Sequence, residues 1–194
     1  MEVLVMDTEG FNPAMKAMRL SFNSERKKDL DFIESKYQSL YTEDYELVRN
    51  LIKKGDSHAK VMRMVTVWLD ITAPRYWWQE MATYGVGTVT MSESTMHTIM
   101  KKELDSENFE GGMPEEILCY LNDHIKRKDF MAIKATLPES FLQRRVVCTN
   151  YQTLRHIYFD RRNHKLPEWK YFIDRILWSL PFSDLITIEP DKNQ

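Results

Sequence analysis

The stretch that most constrains the fold is VMRMVTVWLDITAPRYWWQEMATYGVGTVTMSESTMH, residues 61–97. Its first part, Val61–Ile71, is apolar and rich in β-branched residues that alternate with others, which predicts a strand with a buried face. Thr72 is expected to cap a following helix, with Pro74 in the first turn, where a missing N–H costs little. That helix should end at Gly85, and the hydroxyl-rich residues 92–97 come after the turn.

Helical patterns dominate the rest of the chain, with few strands, which predicts an α+β fold. One domain is expected over residues 1–194, because a chain of this length can bury a sufficient core. Charged loops are expected at 23–31 and 101–112, strands at Glu2–Asp7 and Leu185–Ile188, and a cap at Thr42. The predicted helices are Asn12–Ser21, the segment from Thr42 to Gly55, Pro114 to about Lys134, Asn150–Arg162 and the segment beginning at Pro167.

Composition narrows the classes of partner. The net charge of -2 gives no global attraction to nucleic acid or to an anionic membrane. The chain has no leader-like N-terminus and no apolar run long enough to cross a bilayer, so we expect a cytoplasmic protein. Cys119 and Cys148 have no zinc-ligand spacing, so no metal site is expected. The 12 methionines and 12% aromatic residues are explained best by an ordinary core or an oligomer interface. Binding of a flat ligand is the less favoured explanation.

Polar side chains concentrate in the C-terminal third. Asn150 and Arg161 are three helical turns apart, so we expect them to share one face of the predicted helix. Arginine suits phosphate and asparagine suits an amide-rich ring, which indicates a phosphate-bearing ligand. A solvated, charged helix explains the same spacing and is favoured on spacing alone. No glycine-rich, metalloprotease or nucleophile-elbow motif occurs in the sequence.

Several segments resemble the flavin-dependent thymidylate synthase (ThyX) family. The opening strand and helix end in Met18-Arg19-Leu20-Ser21, similar to an "aR-S" pattern of the family, and His58 falls on the first histidine of its H-x-x-P-x-E-H segment. The segment LPESFLQRRVVCTNYQTLRHIYFDRRNHKLPEWK resembles the family's LP…T-x-N-x-R-S-L…F-x-x-R…H-A-x-x-E-I-R. Its matching positions are Leu137, Pro138, Asn150, Leu154, Phe159, Arg161, His164 and Glu168.

The resemblance implies a mixed domain with a small antiparallel sheet flanked by helices, assembled as a homotetramer with FAD and dUMP held where subunits meet. It implies methylation of dUMP by methylenetetrahydrofolate, with NADPH as the reductant. Ser94 would be catalytic and would lie near the uracil. The implied cofactor-binding residues are His58, Gly85, Asn150 and His156, and the implied substrate-binding residues are Arg75, Glu80, Ser94, Lys134, Arg161, Glu168 and Lys170.

The chain departs from the family at its signature. The family's RHR-x7-S motif becomes Thr83-Tyr84-Gly85, and Ser94 reaches the signature serine only with a one-residue insertion. Each lost charge-assisted contact is worth about 1.5–3 kcal/mol, so flavin affinity should fall. An alternative is therefore a catalytically degenerate homologue that acts as a binding, inhibitory or regulatory module, which phage-like divergence would fit.

Overall fold

The computed structural model describes residues 1–21, 23–24 and 31–191. Most of the charged run predicted as a loop at 23–31 lies outside these residues. The described strands are β1 (Glu2–Glu9), β2 (Phe32–Ser35), β3 (Gln38–Tyr41), β4 (Thr66–Pro74), β5 (Val89–Ser92) and β6 (Leu142–Asn150). Four of them form a sheet in the order β1-β4-β6-β5, and β2 pairs with β3 in an antiparallel hairpin that sets Phe32 opposite Tyr41.

The helices account for most of the regular structure in the described part of the chain. They are α1 (Phe11–Leu20), α2 (Thr42–Lys53), α3 (Arg75–Met81), α4 (Thr95–Thr98), α5 (Glu115–Lys126), α6 (Phe130–Thr136), α7 (Tyr151–Arg161), α8 (Pro167–Ser179) and α9 (Asp184–Thr187). Short 3-10 turns lie at Lys60–Met64, Ala82–Tyr84 and Ser106–Asn108. The expected α+β class with a small antiparallel sheet is confirmed. None of these helices combines the length and the apolarity that a bilayer crossing needs.

The alternation predicted for β4 is confirmed, but the predicted bounds are wrong. Val67, Leu69 and Ile71 are fully buried, and Trp68 between them is exposed. Residues 60–64 form a 3-10 turn, so the strand begins only at Thr66. Thr72 lies inside the strand and caps nothing, and Pro74 precedes α3 in an extended conformation.

Backbone carbonyls replace the expected cap of α3. The N–H of Arg75 donates to the Phe141 carbonyl at 3.1 Å, and the N–H of Tyr76 donates to the Glu139 carbonyl at 3.2 Å. The first N–H groups of a helix need partners, and here a distant segment supplies them. The cap predicted at Thr42 is also wrong: Thr42 is the first residue of α2, and its N–H donates to the Asp31 carbonyl at 2.9 Å.

The single helix predicted from Pro114 to Lys134 is wrong, because two helices occupy this stretch. Lys128 adopts a left-handed conformation with φ 58, which ends α5, and the Asp129 N–H donates to the His124 carbonyl at 2.9 Å. The Asp129 carboxylate then accepts from the Ala132 N–H at 3.1 Å and caps α6. Two local hydrogen-bond patterns therefore override one continuous apolar stripe.

Two smaller predictions also need correction. The strand expected at Leu185–Ile188 is wrong, because Asp184–Thr187 is the helix α9. The loop expected at 101–112 contains a 3-10 turn and buries Leu104 and Phe109. Strands β2, β3, β5 and β6 were not predicted.

The chain divides into two compact units. Unit 1 comprises Met1–Val3, Asp70–Gly85 and Thr90–Val147, and unit 2 comprises Leu4–Leu69, Val86–Val89 and Cys148–Gln194. The core of unit 1 is a cluster of Ile99, Leu104, Phe109, Leu118, Leu121, Ile125, Ile133 and Leu137. In unit 2, the Phe11 ring packs edge-on against Tyr151 at 5.2 Å and against Phe182 at 5.3 Å. Each unit therefore has apolar side chains of its own to bury.

We expect Leu121→Ala to lower the free energy of unfolding by about 2–5 kcal/mol, because Leu121 is fully buried in the unit 1 cluster and its truncation leaves a cavity. The matched control is Ile117→Ala on the same helix, where the side chain is 41% exposed and the expected cost is less than about 1 kcal/mol. Urea unfolding followed by circular dichroism measures both. Equal costs for the two variants would contradict the assignment of this core.

Candidate functional site

The predicted site residues fall in both units, and each group is described within its own unit. Unit 1 contains Arg75, Glu80, Gly85, Ser94 and Lys134. Unit 2 contains His58, Asn150, His156, Arg161, Glu168 and Lys170.

In unit 1 the structure brings Lys134 to the start of α4. The half-buried Lys134 ammonium donates to the Thr95 hydroxyl at 2.8 Å. Ser94, immediately before Thr95, accepts through its carbonyl from the N–H groups of His97 and Thr98. Its hydroxyl takes no part in these bonds. Among the described residues no carboxylate lies within 4 Å of the Lys134 ammonium, so this cation, beside the Thr95 hydroxyl, remains able to hold an anion.

The other predicted residues of unit 1 offer less to a ligand. Arg75 donates to the Leu137 carbonyl at 3.1 Å and pairs with Glu139 at 3.3 Å, so its guanidinium braces the segment after α6. Glu80 is half-buried on α3. Gly85 is exposed and has an ordinary helical backbone conformation, with φ −64. The turn before it exposes Thr83 and buries Tyr84, and it carries no cation.

In unit 2, Asn150 lies where β6 ends and α7 begins. Its Oδ1 accepts from the Thr153 N–H at 2.9 Å and from the Thr153 hydroxyl at 3.2 Å, which caps the helix. Its Nδ2 donates to the Gly87 carbonyl at 3.2 Å. A Cβ on Gly87 would lie 2.8 Å from that nitrogen, and the φ of 78 also favours glycine. Asn150 therefore fastens residues 86–88 to the helix, and it precedes the helix on which Arg161 lies.

The remaining C-terminal residues show a mixture of burial and exposure. The Arg161 guanidinium stacks over the Trp169 ring at 5.1 Å from its centroid. Glu168, one residue before Trp169, is buried, and Lys170, one residue after it, is exposed. Burial of a carboxyl and stacking of a guanidinium show packed side chains here, which differs from a freely solvated helix face.

His156, predicted to bind a cofactor, contacts Asp56. The His156 Nε2 lies 2.7 Å from an Asp56 carboxylate oxygen, and the Gln152 side-chain nitrogen lies 2.8 Å from the same imidazole atom. Desolvation by itself would raise the pKa of Asp56, but the hydrogen bonds from His156 and Gln152, with the nearby charge of Arg155, lower it overall. Asp56 was not predicted as a site residue. Its position two residues before the predicted site residue His58 is the sequence feature that could have indicated it.

A cleft of about 250 Å³ in unit 2 contains His58. We call it the His58 cleft. Its lining combines hydroxyls, an imidazole and an ammonium with thioethers and aliphatic groups, a combination that suits a ring with a polar edge. The lining residues are Ala17, Met18, Ser21, Leu51, Ser57, His58, Lys60, Val61 and Met64.

Comparison with known proteins identifies the fold. No protein-family model matches the chain, and no curated protein sequence matches it. Solved structures do match: flavin-dependent thymidylate synthase ThyX from Helicobacter pylori complexed with FAD and dUMP has a TM-score of 0.76 at 18% identity, over 97% of this chain and 98% of that chain. A second ThyX structure from Helicobacter pylori, with FAD and dUMP, gives 0.74 at 16% identity, over 97% and 98%.

A third match extends the fold to another methylase. The UMP/dUMP methylase PolB from Streptomyces cacaoi, bound with 5-Br dUMP, has a TM-score of 0.65 at 12% identity, over 97% of this chain and 95% of that chain. The chain therefore has the fold of the flavin-dependent thymidylate synthases along nearly its whole length. At these identities the comparison establishes the fold.

We expect Asp56→Asn to lower the free energy of unfolding at neutral pH by less than about 1 kcal/mol, because both Asp56 and His156 are about half exposed and solvent weakens the pair. The lowered pKa means that folding favours ionised Asp56. Its stabilisation is present above the ordinary value of 3.8 and is lost as the pH falls through the lowered folded pKa.

Urea unfolding at neutral pH and at about pH 3 measures this effect, and the difference between wild type and Asp56→Asn should shrink in acid. Asp174→Asn on α8 is the control, since Asp174 is exposed and no salt bridge involves it in the described part of the chain. A cost for Asp56→Asn that does not change with pH would contradict the pairing.

Proposed function

We propose that this chain is a flavin-dependent thymidylate synthase-like protein that methylates dUMP, using methylenetetrahydrofolate as the carbon donor, FAD as the cofactor and NADPH as the reductant. The observation that carries the proposal is the Lys134–Thr95–Ser94 cluster: the Lys134 ammonium has no carboxylate partner among the described residues and donates to the hydroxyl of Thr95, which directly follows Ser94. The sequence resemblance assigns substrate binding to Lys134 and Ser94, and the shared fold with structures complexed with dUMP supports a nucleotide as the ligand.

In this proposal the residues of the chain bind and orient the nucleotide. Lys134 would neutralise part of the phosphate charge, and the Ser94 hydroxyl would donate a hydrogen bond to the uracil. The resemblance also assigns substrate binding to Arg161, Glu168 and Lys170 of unit 2, where the Arg161 guanidinium stacks on Trp169. Arg75 and Glu80 would position their neighbours, because Arg75 is already engaged by Leu137 and Glu139.

The fit to FAD is partial. The His58 cleft suits the adenine or flavin ring, since its lining includes the polar side chains of Ser21, His58 and Lys60 together with apolar ones. The turn at 83–85 supplies no cation, and Asn150 and His156 already have intramolecular partners. We therefore expect FAD to bind more weakly than the intact family signature would allow. A bound flavin would supply the reducing equivalents for the transfer.

Two further features belong to the proposal. The large apolar side chains of Met91, Met96 and Met131 are 65–75% exposed in unit 1, which supports self-association and agrees with the homotetramer that the resemblance implies. Cys119 and Cys148 are free thiols, which suits a reducing, cytoplasmic location.

The second candidate function is a nucleotide-binding, inhibitory or regulatory module without turnover. The observation that favours it is the turn at 83–85, where Thr83, the buried Tyr84 and Gly85 replace the three cationic positions of the family signature. Electrostatic stabilisation is often the largest contribution to catalysis, so loss of these charges would affect the reaction more than it affects nucleotide binding.

One experiment separates the two functions. The visible absorbance of the purified protein is recorded before and after addition of excess FAD and removal of the unbound flavin. NADPH oxidation and dTMP formation are then measured with dUMP and methylenetetrahydrofolate. A retained flavin band with dTMP formation supports the enzyme. No flavin band at excess FAD excludes it, and dUMP binding without flavin supports the second candidate.

We expect Lys134→Met to weaken dUMP binding about 10- to 100-fold, because a charge-assisted hydrogen bond of about 1.5–3 kcal/mol is lost. Isothermal titration calorimetry with dUMP and with deoxyuridine measures this effect. Deoxyuridine binding should change little, since it lacks the phosphate. Lys101→Met is the control, because Lys101 is an exposed lysine of the same unit. An unchanged dUMP affinity in Lys134→Met would place the phosphate elsewhere.

A further inference from the structure

A second cleft, of about 230 Å³, lies within unit 1 and contains none of the predicted site residues. We call it the Leu104 cleft. Its walls come from β4, α4, the segment 102–108 and the start of β6. The lining residues are Thr72, Glu93, Thr98, Ile99, Lys102, Leu104, Glu107, Asn108, Phe141 and Leu142.

Hydrogen bonds between the Leu104 backbone and the Asn122 side chain, together with ring packing, hold the walls of the Leu104 cleft. The Leu104 N–H donates to the Asn122 side-chain oxygen, and the Asn122 side-chain nitrogen donates to the Leu104 carbonyl, both at 2.8 Å. Phe109 forms a β-bridge with Phe141, and their rings pack edge-on at 5.7 Å. A cleft held in this way needs little reorganisation to bind a ligand, so less binding free energy is lost to ordering.

The floor of the cleft is apolar. Ile99 and Leu104 are buried members of the unit 1 core, and Phe141 packs against the same cluster. Leu142 completes this surface. Such an apolar floor can bury the apolar part of a ligand, and a charged rim can bind its charged group.

The rim carries more negative than positive charge. Glu93 and Glu107 line it, and in the described part of the chain neither carboxylate has an ion-pair partner within 4 Å. Lys102 is the one cationic lining residue among those described. The Arg144 guanidinium interacts electrostatically with Glu93, but Asp70 neutralises it through three contacts: Nε donates to the two carboxylate oxygens at 2.8 and 3.2 Å, and Nη2 donates to Oδ2. The rim therefore favours a cation over an anion.

We propose that the Leu104 cleft binds a small organic cation, an ammonium or guanidinium group carried on a compact apolar body. The head would bind between Glu93 and Glu107, and the body would lie on Leu104 and Phe141. The volume is below the roughly 300–1,000 Å³ of pockets for drug-sized ligands, so the ligand is of fragment size. A metal ion is disfavoured, since no described cluster of three acidic, histidine or cysteine side chains could hold one.

The Leu104 cleft and the Lys134–Thr95–Ser94 cluster share a short segment. Glu93 immediately precedes Ser94, and the Thr98 hydroxyl donates to the Ser94 carbonyl at 3.0 Å. The cleft is nevertheless argued from its own lining, so the proposal does not depend on flavin or dUMP binding.

The test compares probes that differ in charge. Isothermal titration calorimetry with the full chain uses phenethylamine, 3-phenylpropionate and 2-phenylethanol. We expect phenethylamine to bind at least tenfold more tightly than the carboxylate and than the alcohol, and added salt to reduce the difference. Equal binding of the three probes, or no binding of phenethylamine at millimolar concentration, would overturn the proposal.

Two variants locate the binding site. Glu93→Gln/Glu107→Gln should weaken phenethylamine binding at least tenfold, because it removes both carboxylates. The control Glu103→Gln/Glu116→Gln removes two exposed carboxylates of the same unit and should leave the affinity unchanged. Thr72→Phe should abolish binding by filling the cleft, and it provides an independent result if the double variant does not fold. Unchanged phenethylamine affinity in a folded Glu93→Gln/Glu107→Gln protein, or in Thr72→Phe, would show that the amine binds elsewhere.

Discussion

The junction between β6 and α7 is the constraint on which unit 2 depends. One side chain, Asn150, caps the helix through Thr153 and holds residues 86–88 through the Gly87 carbonyl. Beyond the cap, the buried Tyr151 hydroxyl donates to the Pro181 carbonyl, and burial raises the pKa of this phenol. One turn later, the buried Arg155 donates to the carbonyls of Ile186 and Ile188. The helix that Asn150 caps therefore carries the contacts that fix the C-terminal segment.

Several arginine side chains bind other groups of the protein, and this determines which cations are available to a ligand. The Arg155 guanidinium donates to backbone carbonyls. Arg75 donates to the Leu137 carbonyl and pairs with Glu139. The Arg145 guanidinium stacks on the Trp78 ring at 4.4 Å from its centroid, and burial lowers the pKa of Arg145. Buried cations need such partners because desolvation penalises the charged form. Lys134 differs, since its contact among the described residues is a neutral hydroxyl. For this reason the candidate anion site is centred on Lys134, and the arginines that stand out in the sequence contribute less to it.

The elements that sequence patterns missed are those whose stability comes from distant partners. Strand β6 reads LQRRVVCTN, and two adjacent arginines conceal its alternation. In the folded protein Arg144 pairs with Asp70 and Arg145 stacks on Trp78, so both charges are satisfied within unit 1. The strand expected near the C-terminus became the helix α9, where the Arg49 guanidinium and the Tyr45 hydroxyl both bind Asp184 at 2.6 Å. Single-segment patterns contain no information about such partners.

The sequence by itself determined the α+β class, the buried face of β4 and the extent of α7, because local periodicity encodes them. The sequence also shows the resemblance to the flavin-dependent thymidylate synthase family, and the shared fold supports this resemblance. Only the tertiary structure decided which polar side chains remain available for a ligand. Asp56 and His156 are 100 residues apart in the chain, and the first N–H groups of α3 find their acceptors in the segment 139–141. Local spacing cannot specify such pairings, since their free energy appears only when the chain has brought the partners together.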